Sequence, residues 1–351
     1  MEPPPQNHSA SLLFNASSAD WELVLAAIPP YVLAVALLGL PANAFVLGVL
    51  ALHRDRLTVA ELYLGNLALA DFALLCGLPF WAVNVLRGFD WPYGDALCKA
   101  VNAAATLNFY TSVYTLVMIS VDRYLALVEP MRARWLRRTL YAKVACGLLW
   151  ALGLLLSAPT LLHRRVVYVE EYGTTSCVLD FQHGSPWKVA HQVLLNTVGF
   201  VLPVAVIVLS SAKIVKALVQ RQESVSLHDP SDTRAAVLVS AVALLFVLCW
   251  GPFQVVTFLD TLYDVRALDE RLWSRGLDVG HQVSVYLAFL NSALNPLLYV
   301  FSGQYFRRKV SAIYRRTRRR RRRGSDVTAC QRSVVSTYIN RTDAIKAKDN
   351  V

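Results

Sequence analysis

One carboxylate, Asp71, interrupts an otherwise uncharged apolar stretch at residues 62–86. A carboxylate in hydrocarbon is costly, so it is either kept protonated and hydrogen-bonded or it binds a cation. Neutral oxygen donors stand on two other apolar stretches at matching depth: Asn108, Ser112, Asn291 and Asn295. One carboxylate among neutral oxygen donors suits Na⁺ better than a softer metal. These residues predict an Na⁺ site, with a protonated Asp71 as the alternative, and no other metal or cofactor.

A charged triplet, Asp122-Arg123-Tyr124, ends another apolar stretch. It is either an ordinary charge pair at the membrane interface or part of a switch. Proline falls inside five apolar stretches, at Pro79, Pro159, Pro203, Pro252 and Pro296. A proline inside a helix removes one backbone hydrogen bond and kinks the helix. Kinked helices that can pivot without forming a pore are typical of signal transmission.

Catalytic motifs are missing from the sequence. It contains no His-Glu-x-x-His, no phosphate-binding Gly-Lys-Ser/Thr and no pair of intramembrane aspartates. The chain is therefore predicted not to be an enzyme.

The elements that must position these residues are membrane-spanning helices. The chain has 351 residues, of which 55% are hydrophobic and 17% charged, and soluble domains are less apolar and more charged than this. A helix needs roughly 20 apolar residues to cross a bilayer. Seven stretches qualify: 24–52, 62–86, 100–121, 144–162, 192–212, 235–259 and 282–306. We predict an all-α bundle of seven transmembrane helices, spans one to seven, followed by a short amphipathic eighth helix.

Basic residues lie mainly on one side of these spans. With the N-terminus outside, 27 Lys and Arg fall on the cytoplasmic side and eight on the outer side, as the positive-inside rule requires. The outer segments carry 13 acidic residues, so the outer face is anionic. Residues 315–323 contain eight arginines. Beside a membrane span, such a tract favours contact with anionic lipid over nucleic acid.

Several residues, taken in order along the spans, resemble the pattern of rhodopsin-like G-protein-coupled receptors. They are Asn43, Leu67, Asp71, Asp122-Arg123-Tyr124, Trp150, Pro203, Cys249-Trp250-Gly251-Pro252 and Asn295-Pro296-Leu297-Leu298-Tyr299. The resemblance implies a multi-pass plasma-membrane receptor that couples to a heterotrimeric G protein and is regulated by a receptor kinase and arrestin. It also implies a disulfide between Cys98 and Cys177. Three other cysteines, Cys76, Cys146 and Cys249, are predicted to be buried thiols.

Within that family, three segments look like kinin (bradykinin) receptors, most of all the type-two branch: residues 58–67, 77–82 and 252–262. The likeness implies a basic peptide ligand and calcium-mobilising signalling. It places the peptide's basic end on Asp260 and Asp278. The predicted floor of the site consists of Trp81, Phe253, Gln282, Tyr286 and Phe289. Arg164 or Arg165 is expected to meet the peptide's C-terminal carboxylate.

The family likeness also implies a route of activation. Ligand binding would shift packing around Phe246 and Trp250, and span six would swing about Pro252. Arg123 would then leave Asp122 for a G-protein helix. The residues assigned to activation are Asp122, Arg123, Tyr124, Phe246, Trp250, Pro252, Asn295, Pro296 and Tyr299.

The chain divides into four predicted segments. Residues 1–24 form an extracellular tail with glycosylation sequons at Asn7 and Asn15. Residues 25–302 form the transmembrane domain, residues 303–315 the amphipathic helix and residues 316–351 a cytoplasmic tail. Phosphorylation of that tail would add charge that arrestin recognises. The candidate sites are Ser325, Thr328, Ser333, Ser336 and Thr337.

Two alternatives remain open from the sequence. A receptor for a chemokine, angiotensin or complement peptide would share the motifs. A transporter would also be helical, but internal repeats, which many transporters have, are missing.

Overall fold

The computed structural model describes residues 18–52, 56–170, 173–181, 185–223, 230–302, 310–311 and 315. The predicted glycosylation and phosphorylation sites lie outside the described residues, as does most of the predicted amphipathic helix. Seven long helical segments occur within the described part of the chain. They are span one, Ser18–Leu52; span two, Val59–Leu86; span three, Gly94–Leu127; span four, Thr139–His163; span five, which begins at Pro186 and ends at Glu223; span six, Pro230–Asp264; and span seven, Glu270–Ser302. The seven-helix prediction is confirmed.

Six of these helices, spans one to six, are long and apolar enough to cross a membrane when the described residues are considered. Helices suit this setting because they satisfy every backbone hydrogen bond internally. Large apolar side chains cover the outside of the bundle, including Leu37, Leu148 and Leu209. Cys146 and Cys249 are buried, as predicted. The prediction for Cys76 is wrong, because its thiol is on the exposed circumference of span two.

Local sequence explains where several spans begin. Thr58 caps span two, where its hydroxyl accepts from the backbone N–H of Glu61 and the Glu61 carboxylate accepts from the backbone N–H of Thr58 at 2.8 Å. Ser185 caps span five, and Pro186 takes the first helical position, where a proline needs no hydrogen bond. These caps fix the helix starts without help from the rest of the bundle.

Span three lies at the centre of the bundle and touches spans two, four, five and six. Span five contains one π-helical stretch, Thr197–Val201, between its two α-helical parts. Gly199 in this stretch packs directly on Phe109, and a Cβ there would overlap the phenylalanine ring. The hydroxyl of Tyr114 donates to the carbonyl of Val198 at 2.8 Å. The irregular turn thus joins spans three and five closely.

A two-stranded antiparallel hairpin, β1 (Arg164–Val169) and β2 (Thr174–Leu179), covers one end of the bundle. We call this the outer end and the opposite end, which carries Asp122, the inner end. A disulfide joins Cys177 of β2 to Cys98 of span three, with 5.8 Å between the Cα atoms. The predicted disulfide is confirmed. It fixes the hairpin above the space between the spans.

A short inner helix, Pro130–Leu136, follows span three at the inner end. It brings the chain back so that span four begins beside span three. Arg137 follows this helix directly. The loop therefore carries basic residues next to the charged end of span three.

Candidate functional sites from the outer end to the inner end

Two carboxylates and one lysine form a charged group at the outer end of spans five and six. The Nζ atom of Lys188 lies 2.8 Å from Oδ2 of Asp264 and 3.5 Å from Oδ2 of Asp260. Gln192 donates to the same Asp260 oxygen at 2.5 Å, and Nε2 of His281 lies 3.5 Å from it. All these contacts reach one oxygen of Asp260. Its other oxygen, Oδ1, meets no donor in the described part of the chain.

Asp278, the second acid predicted to hold a basic group, is exposed on span seven near the same end of the bundle. Gln282 is half-buried one helical turn further in. Phe253 packs edge-on against His281 and Trp250, with ring centres 5.8 Å and 5.9 Å apart. Spans six and seven therefore bring part of the predicted ligand set together.

Two other residues predicted to form the floor of the site, Tyr286 and Phe289, are buried among the helices. Both are 2% exposed and belong to an apolar cluster formed with spans one and two, which includes Val32 and Leu78. Trp81 is partly buried and packs against Trp91, next to the disulfide. These side chains contribute as much to the packing of the bundle as to a ligand-facing surface.

The structure distinguishes the two candidate arginines of the hairpin. Arg165 is exposed and forms an ion pair with Asp180. Arg164 points inward, and its Nη1 donates to the carbonyl of Cys177 at 3.3 Å. Its Nε is buried without a partner among the described residues. Burial lowers the pKa of Arg164 to about 10, so the group is still cationic at neutral pH and suits an anionic ligand group.

Several other buried polar atoms in the outer half have no hydrogen-bond partner within the described residues. They include Trp81 Nε1, Asn84 Oδ1, His191 Nδ1, Gln192 Oε1, both amide atoms of Gln254, Trp250 Nε1, Asp264 Oδ2 and the Tyr286 hydroxyl. Buried polar groups are normally hydrogen-bonded, so such a set indicates a place for a polar ligand or water. Sequence reasoning missed Gln254, since a single glutamine in a span carries no periodic signal.

An aromatic cluster connects this outer half to the middle of the bundle. Phe109 of span three lies between Phe246 and Trp250 of span six, with ring centres 6.4 Å and 4.6 Å away. Phe246 is completely buried. Pro252 follows two residues after Trp250, inside the same helix. The aromatic cluster therefore contacts span six close to the point where a proline removes a backbone hydrogen bond.

Asp71 is completely buried in the middle of the bundle and is held by neutral donors from two other spans. Asn108 and Ser292 donate to Oδ1 at 2.9 Å and 2.7 Å, and Asn295 donates to Oδ2 at 2.9 Å. Ser112 lies within hydrogen-bond reach of the Asn108 amide. Sequence reasoning missed Ser292, although it stands one residue after Asn291 on the predicted span.

Some amide oxygens near Asp71 accept no hydrogen bond from the described residues. The amide oxygens of Asn108 and Asn295 are buried without a donor in the described part of the chain. Asn291 is also buried, but its amide makes no hydrogen bond to Asp71 or to any other described residue. An oxygen that lacks a donor is what a hard cation requires, and the group already holds one carboxylate. The residues therefore fit Na⁺.

At the inner end, Asp122 of span three is shared by two arginines. Arg123 Nη2 lies 2.8 Å from Oδ2. Arg137, beyond the inner helix, donates from Nε to Oδ1 at 2.7 Å and from Nη2 to Oδ2 at 3.2 Å. The Asp122 side chain is only 4% exposed, whereas Arg137 is 34% exposed. Sequence reasoning missed this role of Arg137, because nothing local marks it among its basic neighbours.

Of the other residues predicted to take part in activation, Tyr124 lies next to Arg123, and Asn295, Pro296 and Tyr299 are on span seven. The hydroxyl of Tyr124 donates to Glu129 at 2.6 Å, and this bond lowers the pKa of the Glu129 carboxyl. Lys213 of span five lies over the Tyr124 ring, 5.5 Å from its centre. Pro296 is inside span seven beside Asn295. The side chain of Tyr299 lies outside the described residues.

Comparison with known proteins adds a family to this geometry. Residues 42–299 match the family described as seven transmembrane receptor (rhodopsin family). A B1 bradykinin receptor from Tupaia minor is 40% identical over 329 residues, which cover 92% of this chain and 93% of the relative. A B2 bradykinin receptor from Oryctolagus cuniculus is 43% identical over 315 residues, 89% and 86% of the two chains. The human B2 bradykinin receptor is 42% identical over 288 residues, which cover 82% of this chain and 73% of the relative.

Proposed function

The chain belongs to the rhodopsin family of seven-transmembrane receptors, and on that basis we propose that it is a cell-surface receptor for a basic, kinin-type peptide. As a member of this family it is a multi-pass plasma-membrane protein and a receptor rather than an enzyme or a transporter. The identity of about 40% to proteins named bradykinin receptors, over most of the chain, carries the choice of ligand. The outer end of the bundle faces the extracellular side in this proposal.

The peptide's basic end binds the carboxylates of Asp260 and Asp278. The free Oδ1 of Asp260 supports this, because it can accept a charge-assisted hydrogen bond from a guanidinium or ammonium group. The acidic outer segments also attract a cationic peptide before contact and speed its arrival.

The peptide's C-terminal carboxylate binds Arg164. This arginine points inward and retains a buried donor, Nε, that has no partner in the described part of the chain. Arg165 is the weaker choice, since Asp180 already pairs with it on the surface. A buried cation without a counterion is unfavourable, so an anionic ligand group there is stabilised strongly.

The bound peptide alters the packing of Phe109, Phe246 and Trp250, and span six pivots near Pro252. At the inner end Arg123 leaves Asp122 and contacts a heterotrimeric G protein. A ligand that prefers the pivoted state by a few kcal/mol shifts the population substantially. Calcium mobilisation is the expected cellular response.

We propose that Na⁺ binds at Asp71 when the bundle is in its resting state. Asn108, Ser112, Asn291 and Asn295 would hold it together with Asp71. The ion supplies a positive charge that neutralises the buried carboxylate. The side chains themselves link spans two, three and seven at this depth, and Asn295 carries that link to the inner half of span seven.

Other partners act at the cytoplasmic side in this proposal. A receptor kinase phosphorylates the tail and arrestin binds the added charge. The arginine tract after span seven contacts anionic lipid headgroups.

The proposal is tested by peptide-evoked calcium release and G-protein activation in transfected cells. Bradykinin and its form lacking the C-terminal arginine are compared on the wild type and on Asp260→Ala plus Asp278→Ala. We expect the double variant to lose about a hundredfold in potency, since two charge contacts are removed. Glu170→Gln, an exposed acid at the turn of the hairpin, is the matched control.

Two results would count against the proposal. Unchanged potency in the double variant, at equal surface expression, would refute the binding of the peptide's basic end to Asp260 and Asp278. If neither peptide evokes calcium release or G-protein activation although the receptor is expressed at the surface, the choice of ligand is refuted. The preferred form of the peptide assigns the chain to type-one or type-two pharmacology.

A further inference from the structure

A resident lysine occupies the acidic group that the proposed ligand would reach first. Lys188 comes from span five, whereas Asp260 and Asp264 stand one helical turn apart on span six. The lysine Nζ is 2.9 Å from Oδ1 and 2.8 Å from Oδ2 of Asp264, but 3.5 Å from Asp260. Lys188 is therefore held mainly by Asp264 and only secondarily by Asp260.

Burial separates the two carboxylates further. The Asp264 side chain is 2% exposed, whereas that of Asp260 is 16% exposed and that of Lys188 is 22% exposed. An almost fully buried carboxylate needs a cation close by, because its unpaired charge is costly. Asp264 is thus paired with Lys188, which donates to its Oδ1, while its Oδ2 accepts no hydrogen bond within the described residues. Asp260 is the acid that an incoming group can reach.

The charges of the group sum to one negative charge. Two carboxylates and one ammonium leave this excess, with neutral Gln192 bonded to Asp260. Binding is compared at one fixed pH, so that His281, 3.5 Å from Oδ2 of Asp260, contributes equally to every receptor. The group is built to accept one further positive charge.

We propose that Lys188 is a specificity determinant. It is a counterion within the protein that limits how many positive charges a ligand can place beside Asp260 and Asp264. The inference rests on the proposed function, since it assumes a cationic peptide end at Asp260. A first ligand cation completes the balance of the group. A second cation then meets Lys188, because both acids that hold the peptide, Asp260 and Asp278, already bind the first, and like-charge contact disfavours such a ligand.

The test compares two peptides on five receptors, the wild type and four variants, by equilibrium binding to membranes at about pH 8. The peptides are bradykinin and bradykinin extended at its N-terminus by one lysine. The variants are Lys188→Gln, Asp264→Asn and the two combined. Lys99→Gln is the control, because Lys99 is also cationic and near the outer end but pairs with Asp95 instead.

Opposite effects are expected from the single variants. Lys188→Gln should raise the affinity for the lysine-extended peptide about tenfold more than that for bradykinin, because a second acceptor becomes available. Asp264→Asn should lower the affinity for both peptides about tenfold, because Lys188 then neutralises Asp260. The combined variant restores the single negative charge and should return to within about threefold of the wild type. Lys99→Gln should leave the ratio of the two affinities unchanged.

The combined variant also guards against a folding artefact, since a damaged Asp264→Asn receptor would not be rescued by a second substitution. An unchanged ratio in Lys188→Gln, or a combined variant as weak as Asp264→Asn alone, would overturn the inference while the proposed function stands. Failure of the wild type to bind either peptide would instead overturn the proposed function, and the inference with it.

Discussion

At the outer end of the bundle two carboxylates share one lysine, whereas at the inner end one carboxylate is shared by two arginines. Outside, Lys188 lies between Asp264 and Asp260. Inside, Asp122 accepts from both Arg123 and Arg137. Both groups are poorly exposed at their carboxylates, so in both the number of cations determines which state is stable.

The difference shows how each end can respond to a partner. The outer group has one acid more than cations, and in the proposed function a ligand cation would complete it. The inner group has one cation more than acids, so Arg137 would still pair with Asp122 if Arg123 left during activation. Between them Asp71 receives only neutral donors among the described residues. In the proposed function Na⁺ would balance the charge of that carboxylate.

The strongest way to remove this difference is to give the outer end a cation excess, with Asp260→Arg. The new guanidinium would mimic a bound ligand group and pair with Asp264, so the peptide would lose its acid and meet a like charge. Peptide potency in G-protein activation should fall more than about a hundredfold. Glu170→Arg, the same reversal on the exposed hairpin turn, should reduce potency far less. Equal losses in the two variants would mean that only the overall charge of the outer face matters.

A second change removes the spare cation of the inner end, with Arg137→Gln. When Arg123 leaves, Asp122 would then be stranded, so activation should become harder and the maximal peptide-evoked response should fall about tenfold. Arg137→Lys should restore part of the response, because it returns the charge without the two-bond geometry. Peptide affinity measured without G protein should not change.

The control for this variant is Arg132→Gln, which removes an exposed arginine paired with Glu129. Surface pairs of this kind contribute little, so its response should stay near that of the wild type. Raised basal signalling in Arg137→Gln would show the opposite role, an arginine that holds the resting state.

The smallest expected effect concerns the middle of the bundle. Replacing an organic-cation chloride by NaCl at constant ionic strength should lower agonist affinity about fivefold in the wild type, if Na⁺ favours the resting state. Asp71→Asn should abolish this sensitivity, because the amide has no charge for the ion to neutralise. A sodium effect that persists in Asp71→Asn would place the ion elsewhere.

Much of the fold follows from local sequence. The length and apolarity of the spans, the Thr58 and Ser185 caps and the internal prolines all act within one helix. The pairing of Cys98 with Cys177 was expected from the family likeness. The gathering of Asn108 and Asn295 around Asp71 was expected from the matching depth of these polar residues in their spans. The hairpin Arg164–Val169 and Thr174–Leu179 was not predicted, since its short strands carry no distinctive alternation.

Side-chain direction explains the predictions that failed or stayed incomplete. An apolar span buries only part of its circumference, so its composition could not show that Cys76 is exposed and Cys146 buried. Tyr286 and Phe289 share a span with Gln282, but rotation around the helix axis directs them into the packing with spans one and two.

The sequence by itself determined the seven apolar helices and the receptor family to which this chain belongs. These properties depend on composition and on spacing within single helices, which lipid enforces through hydrogen bonding and hydrophobicity. Only the tertiary structure decided which charges meet. Lys188 reaches Asp264 from 76 residues away, and Arg137 reaches Asp122 after the chain has turned back. Such pairs depend on how helices rotate and pack against one another, and so on distances that no local pattern of residues encodes.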